Sequence, residues 1–336
     1  MHIFNEQKLA QINGVLSPTK QIVIVAHKSP DGDSIGSSLG LYHYLKKLNY
    51  NVKVCHPDPS PYFLNWMNGV DEIIDAETQF DLVEKEILSA DIIFCLDFNA
   101  MSRVGVMKEM MIESRAFKIM IDHHLNPSDE FDVLFSEPAS CSTAQMIVDF
   151  IDARGDLDQL DVKIGEALYC GIMTDSGSFR FPSVTAHTHE VISKLMKGGV
   201  MPYKVHEAVF DTNTFDKLKL RSYAINEKME ILKELDTAII SLEKSELEKF
   251  NYVKGDTEGL VNVGLSIQGI KKSIFLSEGD GIIKISFRSK GQDNPVNVMA
   301  NTYFGGGGHA NAAGGKWDGN MAEAIAEVKR VLPEFN

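Results

Sequence analysis

The sequence predicts an α/β protein with a larger N-terminal parallel-sheet domain and a smaller C-terminal α/β domain, joined by a helical linker. Three observations lead there. Short β-branched runs alternate with helix-like segments through the first half, the pattern of strands joined by crossover helices. From Thr188 to Leu235 the chain reads mostly helical. Beyond it, strands return at close spacing in a shorter stretch. The expected limits are 1–190, 191–233 and 234–336, and a chain of 336 residues suits two domains.

The elements follow in order. "QIVIVAH" (21–27) is a β-branched run read as a buried strand. "SIGSSLGLYHYLKKL" (34–48) places Ile35, Leu39, Tyr42 and Leu45 at helical spacing. "NVKVCH" (51–56), "DIIFCLDFN" (91–99) and "FKIMIDHH" (117–124) read as further strands. "STAQMIVDFIDARG" (142–155) reads as a helix capped by Ser142, and "VKIGEALYCGIMTDSG" (162–177) as a helix running into a turn. "TFDKLKLRSYAINEKMEIL" (214–232), without glycine or proline, is expected to be one long helix. In the second domain 237–242, 272–277 and 281–290 read as strands, and 245–250, 259–269 and 322–332 as helices.

Composition narrows the function classes. Hydrophobic residues make up 44% and charged residues 24%, as in soluble globular proteins. The formal charge of −14 argues against broad electrostatic binding to duplex DNA or an anionic membrane. It leaves room for a nucleotide in a locally positive cleft. The four cysteines lack metal or redox spacing and are expected to be buried free thiols in a reducing cytosol. The N-terminus shows no signal-peptide pattern, and no apolar run approaches about 18 residues. A cytoplasmic location is therefore expected.

Ligands of open parallel sheets bind beyond the carboxyl ends of the strands. There the sequence places His27, Asp31 and Asp33 in "HKSPDGDSIGS", Asp97 in "CLDFN", and Asp122, His123 and His124 in "IDHH". The turn in "GIMTDSGSF" adds Asp175. Each alone has a bland explanation: Asp31 and Asp33 as turn and N-cap residues, Asp97 as a cap, His27 as a satisfied core histidine, Asp175 as a loop residue. Together they are carboxylates crowded at one edge, which repel unless a cation sits among them. Mixed imidazole and carboxylate donors suit Mn²⁺, Fe²⁺, Co²⁺ or Zn²⁺, with Mg²⁺ as an alternative. So many donors suit two ions, which at about 3.5–4 Å apart clamp the attacking and leaving oxygens of a displacement at phosphorus.

These four motifs, followed by "FRSK" and "GGGGHANAAG", resemble the DHH/DHHA1 phosphoesterases in motif order and spacing over nearly the whole chain. The resemblance is strongest to bacterial oligoribonucleases of short RNA that also act on 3′-phosphoadenosine 5′-phosphate. It implies that His27 and Asp31 hold one metal, that Asp33, His123 and Asp175 hold the other, and that Asp97 bridges them. It implies two divalent ions, foremost Mn²⁺, with Mg²⁺ or Co²⁺ as alternatives, activating a water as nucleophile. Asp122 would orient a neighbouring histidine, and His124 would face the scissile phosphate as donor or general acid. A homodimer is implied by the resemblance alone.

The second domain carries the extreme local composition "FGGGGHANAAGG" (304–315). Glycines let the backbone approach an anion, and a helix starting near His309 would favour phosphate there. Gly306, Gly307, Gly308, His309 and Arg288 are thus candidates for substrate binding, with a flexible linker as the bland alternative. Arg103, shortly after Asp97, is a candidate phosphate ligand, with a surface ion pair as its alternative. His187, His189 and His206 read as structural or surface residues. The expected substrate is short single-stranded RNA or a small nucleotide, with no duplex DNA and no membrane. The alternatives are a phosphoanhydride hydrolase (inorganic pyrophosphatase or exopolyphosphatase) and a non-catalytic nucleotide sensor. A sensor would be expected to lose metal ligands, and none is missing.

Overall fold

The computed structural model describes residues 3–279, 281–291 and 293–335. The chain forms two compact units that divide between Thr212 and Asn213. The stretch 191–233 is shared between them.

The first unit runs α1 (Glu6–Val15), β1 (Gln21–Val25), α2 (Gly32–Lys47), β2 (Asn51–His56), β3 (Ile74–Asp75), α3 (Ala76–Ser89), β4 (Ile92–Leu96), α4 (Lys108–Glu113), β5 (Phe117–Asp122), β6 (Val133–Ser136), α5 (Thr143–Ala153), α6 (Val162–Asp175), α7 (Ala186–Lys197) and α8 (Pro202–Phe210). The six strands form one parallel sheet in the order β3-β2-β1-β4-β5-β6. Its central strands are apolar on both faces. Ile22, Ile24, Phe94 and Ile119 pack against α1, α2, α5 and α6, while Val23, Val25, Ile93 and Met120 pack against α3 and α4. Burial on both faces explains why these strands read as continuous apolar runs rather than alternations. The strand order reverses between β1 and β4, which opens the crevice where such sheets bind ligands.

Helices α2 and α6 meet at very short range. A Cβ on Gly36 would fall 2.5 Å from the carbonyl oxygen of Ala167 and 2.9 Å from the amide nitrogen of Gly171. The glycine therefore lets α6 run close along α2, bringing Asp175 at its end to the start of α2. His56, at the end of β2, is fully buried; its Nε2 lies 3.1 Å from the Ser38 hydroxyl. The four cysteines are buried and unpaired, as expected. Among the described residues no helix is long and apolar enough to cross a membrane.

The second unit runs α9 (Phe215–Asn226), β7 (Met229–Leu232), β8 (Thr237–Leu242), α10 (Lys244–Lys249), α11 (Leu260–Leu265), β9 (Lys272–Gly279), β10 (Ile282–Ser289), α12 (Asn297–Phe304), β11 (Gly307–His309), β12 (Ala312–Trp317) and α13 (Met321–Val331). Its sheet is mixed, in the order β11-β12-β10-β9-β8-β7. Two expectations are corrected here. The helix expected over 214–232 ends at Asn226, and Met229–Leu232 pairs antiparallel with β8. That ladder satisfies the backbone of "MEIL", and helix propensity does not outweigh it. No helix starts near His309 either. The glycine stretch is a pair of strands, β11 and β12. Gly306 is required by that pairing: a Cβ there would lie 1.8 Å from the carbonyl oxygen of Gly314.

Candidate metal centre

The site lies at the carboxyl edge of the first sheet, around the reversal point. His27 follows β1 and Asp97 follows β4, the two strands that flank the reversal. Nε2 of His27 is 3.2 Å from Oδ2 of Asp97 and 3.8 Å from Oδ2 of Asp31. Asp31 caps α2, accepting the N–H groups of Asp33 and Ser34 at 3.0 Å each. Past β5, Nε2 of His123 lies 3.5 Å from Asp97, 3.5 Å from Asp175 and 3.8 Å from Asp33. His124 has its Nδ1 2.7 Å from Oδ1 of Asp122 and 3.7 Å from Asp97.

Each imidazole is held by its other nitrogen. Nδ1 of His27 lies 2.8 Å from the Lys28 carbonyl and Nδ1 of His123 lies 3.2 Å from the Ser140 carbonyl. Those bonds fix the tautomer that leaves Nε2 facing the carboxylates. Asp97 has φ of 62°, a left-handed conformation that Asp and Asn tolerate better than other non-glycine residues. Such strain persists where the surroundings over-determine it. Here the Ile121 carbonyl accepts the Asp97 N–H at 3.2 Å.

The sequence offers no warning of what supports Asp33. Its carboxylate sits on the N-terminus of α5, accepting the N–H of Thr143 at 2.6 Å and of Ala144 at 2.8 Å. The Thr143 hydroxyl donates to Asp97 at 3.0 Å, so this residue serves the site as well as the helix start. Ser142 caps α5 as expected, accepting the Gln145 N–H at 3.0 Å.

The electrostatics are those of carboxylates that need a cation. Burial, with repulsion from Asp97 and Asp175, pushes Asp33 well above the usual carboxylate range against the pull of His123. Burial likewise raises Asp175 to about 6, with His123 opposing and Asp31 and Asp97 adding. Burial alone would raise Asp97 too, but hydrogen bonds from His123 and His27 hold it well below the usual range. Burial works against charge on His27, yet Asp97 and Asp31 raise it to about 9. His123 is raised in the same way, against burial, by Asp97, Asp175 and Asp33. The raised groups draw in protons to offset crowded negative charge, the part a divalent cation plays when it displaces them.

The donor atoms are close enough for that. His27, Asp31 and Asp97 each offer a ligand atom within 4.8 Å of the others, and so do Asp33, His123 and Asp175. Asp97, Asp122 and His124 form a third such group. The residues present therefore fit divalent ions with mixed oxygen and imidazole coordination.

The Arg103 carbonyl accepts the Lys28 N–H at 2.8 Å, tying its segment to the loop after His27. Its Nε is buried without a hydrogen-bond partner among the described residues. In the second unit, Arg288 and His309 both pair in register with Ala312, from the strands on either side of it. His187 lies 2.8 Å from Asp149, and His206 bonds the Tyr169 hydroxyl at 3.2 Å.

Comparison with known proteins accords with this geometry. Residues 21–172 match the family described as "DHH family, N-terminal domain", and residues 236–334 match the "DHHA1 domain". The bifunctional oligoribonuclease and PAP phosphatase NrnA of Bacillus subtilis is 28% identical, over 94% of this chain and 93% of its own length. Its namesake from Thermus thermophilus is 32% identical, over 93% and 89%. An exopolyphosphatase-related protein from Bacteroides fragilis has a crystal structure that superposes with a TM-score of 0.94 at 38% identity, over 98% and 97%.

Proposed function

The chain belongs to the DHH family of metal-dependent phosphoesterases, with a DHHA1 domain after the DHH domain, and from that membership we propose that it hydrolyses short oligoribonucleotides to mononucleotides and removes the 3′-phosphate of 3′-phosphoadenosine 5′-phosphate. The observation that carries this reading is the pair of three-residue donor groups at the reversal point of the sheet. In it, His27 and Asp31 would hold one ion, Asp33, His123 and Asp175 would hold a second, and Asp97 would serve both. Two divalent cations, Mn²⁺ before Mg²⁺ or Co²⁺, would neutralise charge on the phosphate and lower the pKa of the attacking water.

The chain's own residues do the rest. The Lys28 and Ser140 carbonyls keep His27 and His123 in the tautomer that presents Nε2. The α5 N-terminus and the Thr143 hydroxyl fix Asp33 and Asp97 before substrate arrives. Asp122 accepts Nδ1–H of His124 and orients the ring, so that in its doubly protonated form the Nε2–H can donate to a phosphate oxygen or to the leaving oxygen. Arg103, Arg288, His309 and the backbone of Gly306, Gly307 and Gly308 bind the substrate's phosphates.

A second reading, hydrolysis of phosphoanhydrides, is favoured by the likeness to the exopolyphosphatase-related protein of Bacteroides fragilis. One assay separates the two. With Mn²⁺ present, a dinucleotide, a longer oligonucleotide, 3′-phosphoadenosine 5′-phosphate, pyrophosphate and polyphosphate are compared at equal concentration. The dinucleotide and the bisphosphate are expected to turn over fastest. Higher kcat/KM on pyrophosphate or polyphosphate would move the assignment to the second reading.

A further inference from the structure

Thr143 is bonded to a carboxylate of each donor group, and the helix it begins does not explain its side chain. It is the first residue of α5, where Ser142 already supplies the cap. Its N–H donates to Asp33, in the group with His123 and Asp175. Its hydroxyl donates to Oδ1 of Asp97, in the group with His27 and Asp31. The residue is fully buried. Burying a hydroxyl costs free energy that valine, of nearly the same shape, would avoid. β-Branched residues also rank low as helix formers. Packing and helix propensity therefore leave the hydroxyl unexplained, and its partner lies 46 residues away in the chain.

The two carboxylates differ in how firmly they are held. Asp33 takes a backbone N–H on each oxygen, from Thr143 and from Ala144. Its surroundings are tight as well. A Cβ on Gly171 of α6 would lie 2.6 Å from the Ala144 side chain and 2.9 Å from Oδ1 of Asp33. Asp97 follows a strand end with its N–H bonded to the Ile121 carbonyl, but the rotation of an aspartate carboxylate about its last bond is soft. Its Oδ2 faces His27 at 3.2 Å, and its Oδ1 faces His123 at 3.5 Å and the Thr143 hydroxyl at 3.0 Å. The hydroxyl thus fixes which oxygen looks toward which histidine. Because the N–H of the same residue holds Asp33, the placement of both carboxylates is set from one point.

We propose that Thr143 is a positioning residue that sets the plane of the Asp97 carboxylate relative to Asp33, so that both donor groups are complete at once. The proposal rests on the two-ion reading above, in which Asp97 serves both ions. Without the hydroxyl the carboxylate is free to turn toward His27, and the group of Asp33, His123 and Asp175 loses the oxygen that faces His123. The N–H contact to Asp33 survives any substitution other than proline, so the hydroxyl can be tested by itself.

The test is titration of the metal-stripped full chain with Mn²⁺, the free ion being read by electron paramagnetic resonance. Wild type, Thr143→Ser, Thr143→Val and Thr143→Ala are compared after thermal unfolding confirms folding. Serine keeps the hydroxyl and loses the methyl group; valine does the reverse. Wild type and Thr143→Ser are expected to bind two ions alike. Thr143→Val and Thr143→Ala should keep the first ion and weaken the second roughly ten- to hundredfold, the usual loss when a supporting hydrogen bond to a metal ligand is removed. Should the valine protein fail to fold, the serine and alanine proteins decide, since they differ only in the hydroxyl. If binding follows the methyl group instead, with valine like wild type and serine like alanine, Thr143 acts by packing and the proposal falls. It falls too if every variant matches wild type or if both ions weaken equally, while the two-ion centre stands. Wild type that takes up fewer than two ions would overturn the two-ion reading itself, and the proposal with it.

Discussion

Nε2 of His27 and Oδ2 of Asp97 meet at 3.2 Å across the point where the strand order reverses. The contact joins the two sides of the crevice. On the other carboxylate oxygen, Asp97 faces His123 at 3.5 Å. A group so placed lies within reach of both histidines, and its charge is harder to replace than its shape. Asp97→Asn is expected to lower kcat roughly a hundred- to thousandfold, as loss of a preorganised electrostatic group does. Asparagine tolerates the left-handed backbone at this position. The thermal midpoint of the metal-free variant should therefore stay within about 4 °C, equivalent to about 1 kcal/mol for a unit of this size. Near-native turnover with two metals bound would show that Asp97 does not bridge.

Metal dependence is the second expectation. Imidazole shares the site with carboxylates, which favours Mn²⁺ over Mg²⁺ in affinity. Dialysis against chelator should abolish activity, and added Mn²⁺ should restore it with a higher kcat/KM than the same free concentration of Mg²⁺. Full turnover in excess chelator would contradict the mechanism, and a clear preference for Mg²⁺ would contradict the choice of metal.

His56 makes a prediction about pH and stability. Burial, with the nearby charge of His27, lowers its pKa from 6.5 to about 3. A folded-state pKa below the unfolded value means that the contribution to stability is present above pH 6.5. It is lost as pH falls from there toward 3. At pH 5 the loss amounts to about 2 kcal/mol, from 1.5 pH units at 1.36 kcal/mol each. Urea unfolding at pH 7 and pH 5 should show His56→Asn losing less stability on acidification than wild type, by about that amount. His27, raised to about 9, acts in the opposite sense and is present in both proteins. Parallel pH profiles would show that His56 is not held neutral by the fold.

The centre of the site is legible in the sequence because each of its residues adjoins a signal that burial imposes. His27, Asp97 and Asp122–His124 end apolar runs that only a doubly covered sheet explains, and Asp31 begins a helix by capping it. Thr143 and Ala144 are not legible, since their contacts to Asp33 cross 110 and 111 residues of chain. No local pattern records such a contact. Strands β11 and β12 are hidden for a different reason. Their glycines and alanines carry no alternation of apolar and polar side chains, so the sequence resembles a loop. What makes them strands is the close backbone approach at Gly306, a tertiary fact. The strand Met229–Leu232 escapes a reading of the sequence because four residues without a breaker continue a helical pattern until pairing with β8 decides otherwise.

Substrate length is the last expectation, and it follows from how little positive surface the chain offers. Proteins that hold long single strands provide a basic groove along the backbone and aromatic side chains on which bases stack. This chain carries 47 acidic residues against 33 lysines and arginines. On a chain of net charge −14, nucleotides beyond the first few add repulsion rather than contact. Di- to tetranucleotides should therefore be cleaved to mononucleotides with much higher kcat/KM than strands of roughly 20 nucleotides, which a stacking groove would be needed to hold. Duplexes should be nearly inert, because their stiffness keeps the scissile phosphate from a buried edge lined by carboxylates. RNA should exceed DNA only modestly, since none of the assigned residues reads the 2′-hydroxyl. A length series at fixed Mn²⁺ and salt decides the matter. A kcat/KM that holds or rises with length would mean that a basic path carries the longer strand, and the short-substrate reading would fail.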